Sequence, residues 1–292
     1  MSADELLAEV RRTIVIAVAA DDVLSEHLVL KGGNALEIAW GLSSRASLDL
    51  DYSIDGEGLP EEELSNRLFR SLKDRFALLK LVVVDEQFVS KPRIAGEGIP
   101  TLGYAATFKL VSRDVYDNYV KDPKRLRDRA VRITGKPDGS ATFSIEISKN
   151  EYCKDKTMVS VEQFGVSVYS FRLIVLEKFR ALCQQIPELK LRVNPTQRAR
   201  DFYDIYAVSS HEPMDLTAPD SLQIIKHVFE AKKVPLDALA MLRDQRDFHR
   251  AGWPSVVLTA RGKLKEYDEY FDYVIEMASS ILEALRKIDH PI

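Results

Sequence analysis

The sequence predicts an α+β half built on a mixed sheet, followed by an all-helical half. In the first half, short apolar runs, several of them strictly alternating with polar residues, are interleaved with stretches of helical spacing. After Tyr169 the patterning is helical almost throughout, with Ser255–Thr259 the one run that reads as strand. The 292 residues are 46% hydrophobic, 29% charged and 9% aromatic, which supplies an ordinary globular core and excludes disordered, collagen-like and coiled-coil readings. A soft boundary near residue 168 gives an α+β domain over 1–168 and a helical domain over 169–292.

From the N-terminus, residues 3–20 read as a helix capped by Ser2, with Leu6, Leu7, Val10, Ile14 and Ala17 on one face. His27–Lys31 is a short buried strand that stops at Gly32-Gly33, and Asn34–Trp40 is one or two helical turns closed by Gly41. Ser47–Ile54 alternates: Leu48, Leu50 and Tyr52 share one face, and Ser47, Asp49, Asp51 and Ser53 the other. A helix near 60–79 follows Pro60, strand-like runs occupy 80–89 and 102–111, and 141–149 alternates again. The stretch 90–100, with two prolines and two glycines, reads as a loop. Helical patterns then sit near 170–185, 195–209, 219–231, 235–247 and 265–287.

A formal charge of −4 argues against a uniformly basic nucleic-acid coat, while leaving room for a local basic groove. Two cysteines, Cys153 and Cys183, make no disulfide framework, and no Cys/His cluster suggests zinc. No apolar run reaches the length of a membrane span, and the start lacks a basic signal-peptide region, so a cytoplasmic protein without membrane attachment is expected.

The most informative stretch joins Lys31-Gly-Gly-Asn-Ala-Leu to Arg45-Ala-Ser-Leu-Asp-Leu-Asp51. Two glycines between a strand and a short helix let backbone N–H groups approach a phosphate. Asp49 and Asp51, two apart on a strand, project to the same face, where two carboxylates repel unless a divalent cation lies between them. Singly, Gly-Gly is most often a turn and Asp-x-Asp a solvated strand face. Together, in strand–helix–strand order, they match what transfer from a nucleoside triphosphate (NTP) requires.

The run Leu30-Lys-Gly-Gly-Asn-Ala-Leu…Arg45-Ala-Ser-Leu-Asp-Leu-Asp51 resembles the first motif of the AbiEii/AbiGii-type nucleotidyltransferase toxins, which include the MenT toxins. Glu177-Lys-Phe-Arg-Ala181 and Arg200-Asp-Phe-Tyr-Asp204 resemble that family's later motifs in the expected order, so the resemblance covers roughly residues 28–208. It implies a DNA polymerase β-like nucleotidyltransferase fold with a helical C-terminal domain. It also implies Mg²⁺- or Mn²⁺-dependent use of NTP, RNA as acceptor with the 3′ end of transfer RNA favoured, and an antitoxin partner. Gly32, Gly33 and Asn34 would then hold the triphosphate, with Arg45 and Ser47 adding contacts by family position, and Asp49 and Asp51 would bind the metal. The spacer from Gly33 to Asp49 is longer than the usual pattern, and Asn34 stands where Ser or Thr is more usual.

The helical motifs also carry an argument of their own. At about 100° per residue, Phe171, Ile174, Val175, Phe179 and Leu182 share one arc, and Lys178 falls in its middle. An inward lysine needs a partner or an anionic ligand; the alternative is a stem that snorkels to water. Asn194-Pro195 reads as the start of the next helix, with Asn as cap and Pro at the first position. On that helix Asp201 lies between Ile205 and Val208 on the buried arc, while Asp204 sits at its margin. Asp201 is therefore the expected inner acid, paired with Lys178 as a shared site or as a structural ion pair.

Glu146 is the candidate third carboxylate, for the metal or for the acceptor's proton, with a solvated strand face as its plain alternative. Lys121–Lys136 carries seven Lys/Arg and two Asp, a local net of +5, and reads as an RNA contact or as a solvated basic face. His249 reads as core or surface sooner than as a base-stacking group. The expectation is a nucleotidyltransferase, the toxin of a toxin–antitoxin pair, with catalytic Asp49, Asp51, Lys178, Asp201 and Glu146. Transfer to a small molecule or a protein, or a silent nucleotide-binding relative, stand as alternatives.

Overall fold

The computed structural model describes residues 3–42, 49–92, 101–133, 140–260 and 263–289. The chain forms two compact units. Among the described residues, the first runs to Gly41, from Asp49 to Cys153 and from Thr157 to Val168. The second runs from Tyr169 onward and takes in Lys154–Lys156.

The first unit is built on a mixed seven-stranded sheet in the order β3-β4-β5-β2-β1-β7-β6. The strands are β1 Leu28–Lys31, β2 Leu50–Ile54, β3 Leu81–Lys91, β4 Gly103–Ser112, β5 Phe143–Ser148, β6 Lys156–Val161 and β7 Phe164–Tyr169. β2 lies at the centre, antiparallel to β1 and parallel to β5. Alternation decides which face is core: Leu50, Tyr52, Ile54, Ile145, Ile147, Ala106 and Phe108 are all buried. Onto that face packs the Glu61–Leu78 helix, whose Phe76 ring lies 5.9 Å from Phe108, itself 5.7 Å from Phe143. The Ala3–Ala19 helix buries Val10, Ile14 and Ala17 in the same core. The opposite face of the central strands carries Lys31, Asp51, Ser53, Ser144, Glu146 and Ser148, and it is the polar one.

β1 begins one residue later than its apolar run suggests. The Asp21 side chain accepts from the backbone N–H of Val23 and Leu24 and caps a helix over Asp22–His27, which claims His27. The β6–β7 pair escapes sequence reading because its turn contains Glu162 at φ +55° and no Asn-Gly or Gly signal.

The second unit is helical: Phe171–Cys183, Ala199–His211, Pro219–Ala231 and Tyr267–Asp289 are its long helices. Ser255–Thr259 is not a strand, since a helix covers Trp253–Val257. The expected helix at 235–247 is broken into Ala238–Met241, a 3₁₀ turn at Leu242–Gln245 and Arg246–Arg250. Asn194-Pro195 does not start a helix either. Thr196 N donates to Gln185 Oε1 and Arg198 N to His249 Nδ1, so tertiary acceptors hold these amides and the helix begins at Ala199. Among the described residues no helix is long and apolar enough to cross a membrane.

Candidate active site

Strand register assembles the site of the first unit. Lys31 on β1 is paired with Asp51 on β2, and Asp51 with Glu146 on β5, so a cation and two carboxylates form one row across three strands. Asp49 lies just outside β2, exposed, where the sequence pattern had placed it within the strand. Glu151, whose side chain is buried, receives hydrogen bonds from Lys31 Nζ and Ser53 Oγ on the same face. Glu146 pairs with Lys91 Nζ and accepts from Ser144 Oγ.

This arrangement makes ionisation of Asp51 costly. Burial, reinforced by Asp49, Glu146 and Glu151 and opposed by Lys31, pushes its carboxyl up to about 6. Gly32 abuts it directly. Its φ is +71°, and a Cβ there would stand 2.7 Å from Asp51 Oδ2, so only glycine brings the backbone this close to the carboxylate. Gly33 follows in the turn Gly32–Asn34, which continues as a π-helical turn over Ala35–Ala39.

Asn34 does not present its amide to a ligand. It is fully buried, donates to Asp49 O at 2.6 Å, and accepts from Arg11, which also pairs with Glu37 at 2.9 Å. The Asn34 side chain holds the Gly-Gly turn against the chain entering β2, which leaves the expected phosphate contacts to the backbone N–H groups before it. Arg45 and Ser47 lie outside the described residues.

The donor chemistry fits a divalent cation, because a half-buried carboxylate with three others nearby and one lysine beside it gains from further positive charge. Among the described residues, no three His, Cys, Asp or Glu side chains already form a metal-holding group, since Glu146 and Glu151 are turned to lysines.

In the helical unit, Ser170 Oγ caps the Phe171–Cys183 helix by accepting from Leu173 N, and the helix buries Lys178 as its wheel predicts. The ammonium donates to Asp201 Oδ1 at 2.9 Å and to Asp204 Oδ2 at 2.7 Å, and Arg198 closes on Asp201. Asp204 is thus no marginal residue: it is fully buried and shares the lysine. Burial alone would raise the Asp201 carboxyl, but Arg198 and Lys178 outweigh it and hold it well below the usual carboxylate range. His249 is core. It is fully buried, its ring lies 5.3 Å from Phe202, and its Nδ1 receives the Arg198 amide. Burial pushes its pKa down to about 4.

Sequence reasoning missed Lys31, Glu151, Arg198 and the role of Asp204. Lys31 and Asp204 had signals, one at the end of a buried strand and one three residues from Asp201 on the same helix. Glu151 had none, since it follows β5 in irregular chain.

A family model described as "Nucleotidyl transferase AbiEii toxin, Type IV TA system" matches residues 15–274. Among solved structures the fold is similar to MenT4, a nucleotidyltransferase toxin from Mycobacterium tuberculosis, at 15% identity and TM-score 0.54, covering 95% of this chain and 83% of that one. It is also similar to a candidate nucleotidyltransferase of H. pylori, at 16% identity and TM-score 0.52, covering 99% and 100%. No curated protein sequence matches the chain.

Proposed function

Because the chain belongs to the AbiEii nucleotidyl transferase toxins of type IV toxin–antitoxin systems, we propose that it moves a nucleotide from a Mg²⁺- or Mn²⁺-bound NTP to an RNA acceptor, with the 3′ end of transfer RNA favoured. The observation that carries this reading is the row Lys31–Asp51–Glu146 with Gly32 pressed against Asp51. It sets a phosphate-approach turn directly beside an electron-rich cluster of carboxylates.

Asp49 and Asp51 would hold the cation. When bound, it neutralises triphosphate charge and polarises the phosphorus under attack. The backbone N–H groups of Gly32 and Gly33 would meet the phosphates, at a turn that carries no side chain of its own there. Lys31 supplies fixed positive charge next to Asp51, and Glu151 positions it. Glu146 leaves Lys91 and accepts the proton of the acceptor hydroxyl, which frees the oxygen to attack as the pyrophosphate departs. Arg45 and Ser47 are assigned to the triphosphate by motif position. Lys178 is assigned to meet triphosphate charge, with Asp201 and Asp204 as its positioning residues. A cognate antitoxin is the expected protein partner.

The test is transfer of label from each α-labelled NTP, with Mg²⁺ or Mn²⁺, into separate RNA, protein and small-molecule pools. Cation-dependent label in RNA, lost in Asp51→Asn, is the expected outcome. Label in another pool replaces the acceptor, and near-wild-type turnover in Asp51→Asn overturns the metal assignment. No turnover with either cation would make the protein a silent relative.

A further inference from the structure

Resting on the RNA-acceptor reading, we propose that the surface around the Pro123–Asp128 helix is the contact for the acceptor's phosphate backbone. Lys121, Lys124, Arg125, Arg127, Arg129 and Arg132 are all exposed here. Against Asp122 and Asp128 they leave a local net charge of +4 over 121–132, on a chain whose total is −4. The fold fixes their direction. Leu126 and Ala130, four residues apart, insert with Val111 into a small core that Tyr116 and Tyr119 complete, so the charged positions between them point outward.

Two of the acids nearby are already used. Asp122 caps the helix by accepting from Arg125 N and lies 3.3 Å from the Arg125 guanidinium. Asp85 is shared by Lys109 at 2.8 Å and Arg127 at 3.6 Å. Among the described residues, no carboxylate lies within ion-pair distance of Lys121, Lys124, Arg129 or Arg132. Arg129 rests over the Tyr119 ring, 4.4 Å from its centroid, which restricts its side chain before any ligand arrives.

Like charges gathered without counter-charges repel one another, and a polyanion relieves that repulsion. An RNA backbone suits this surface better than an acidic protein does. A protein interface takes its energy from buried aromatic and apolar anchors, whereas the large apolar side chain exposed beside these cations is Val120 alone among the described residues. Such contacts orient an acceptor without reading its sequence.

The experiment measures binding of fluorescein-labelled bulk transfer RNA to the full chain by anisotropy across a KCl series, for wild type and for Lys121→Gln/Lys124→Gln/Arg129→Gln/Arg132→Gln. These side chains are exposed, so the variant should keep the wild-type melting temperature. Losing four phosphate contacts should flatten the slope of log affinity against log salt by about 3 and weaken binding at least about tenfold at moderate salt. NTP binding should be unchanged. Lys124→Gln alone should flatten the slope by about 1. If wild type binds RNA and the quadruple variant binds it equally, with the same slope, the surface is not the RNA contact. An accompanying loss of antitoxin binding would then assign it to protein. If wild type binds no RNA, the acceptor reading itself fails.

Discussion

Replacing Lys178 with Ala removes a single ammonium from between two buried carboxylates, and the consequence follows from the geometry. Nζ is 2.9 Å from Asp201 Oδ1 and 2.7 Å from Asp204 Oδ2, and all three side chains are buried. Asp201 keeps Arg198, but Asp204 loses its ammonium partner. Breaking a buried pair by deleting one member costs about 3–5 kcal/mol, because the remaining charge stays desolvated. For a unit of this size that lowers the melting temperature by about 10–20 °C. Thermal unfolding followed by circular dichroism measures it, and label transfer is assayed well below the lowered midpoint. Lys178→Met combined with Asp204→Asn removes one charge of each sign and should recover much of the stability. If Lys178 meets the triphosphate, that double variant stays inactive despite its recovered fold. If turnover returns with stability, the lysine is scaffold only. A Lys178→Ala protein within about 1 kcal/mol of wild type would refute the premise that these charges are coupled in a dry interior.

Gly32→Ala should destabilise by at least about 1–2 kcal/mol from the left-handed backbone alone, and its Cβ, 2.7 Å from Asp51 Oδ2, should displace the carboxylate. A melt with and without Mg²⁺ checks both effects, and an unshifted melting temperature would contradict the close approach. His249 yields a pH dependence. With a folded pKa of about 4 against about 6.5 unfolded, the unfolded chain takes up the proton first as pH falls. Stability should therefore be full above about pH 6.5 and decline towards pH 4 by up to about 3 kcal/mol. In His249→Gln that part of the slope should vanish, and an identical profile would show that the imidazole does not titrate in this window. Asp201 has the same sense in a lower window: its folded pKa also lies below the unfolded one, so its contribution persists through neutral pH and disappears only in strong acid.

The parts of the fold legible in the sequence were those set by local periodicity. Leu50, Tyr52 and Ile54 alternate because one face of β2 is core, and the lysine of Phe171–Cys183 lies on a buried arc because its neighbours at helical spacing are apolar. Long-range register was not legible. Asp51 and Glu146 are 95 positions apart, and nothing local says that β5 joins β2 in parallel with these two residues opposed. The same limit applies to Asp204. A helical wheel orders residues around their own axis but cannot give the direction from which a second helix brings its lysine. The late start at Ala199 is a further case, where acceptors on Gln185 and His249 outcompeted a good local capping sequence.

The hydrogen bond from buried Asn34 to the Asp49 carbonyl acts as a splint between two elements that sequence separates by fifteen positions. It ties the turn that holds Gly32 to the residue that enters β2, two positions before Asp51, so the close approach of Gly32 to Asp51 has a second anchor besides the β1–β2 register. Without it the glycine turn and the carboxylate strand would each keep their local structure and lose their alignment with one another.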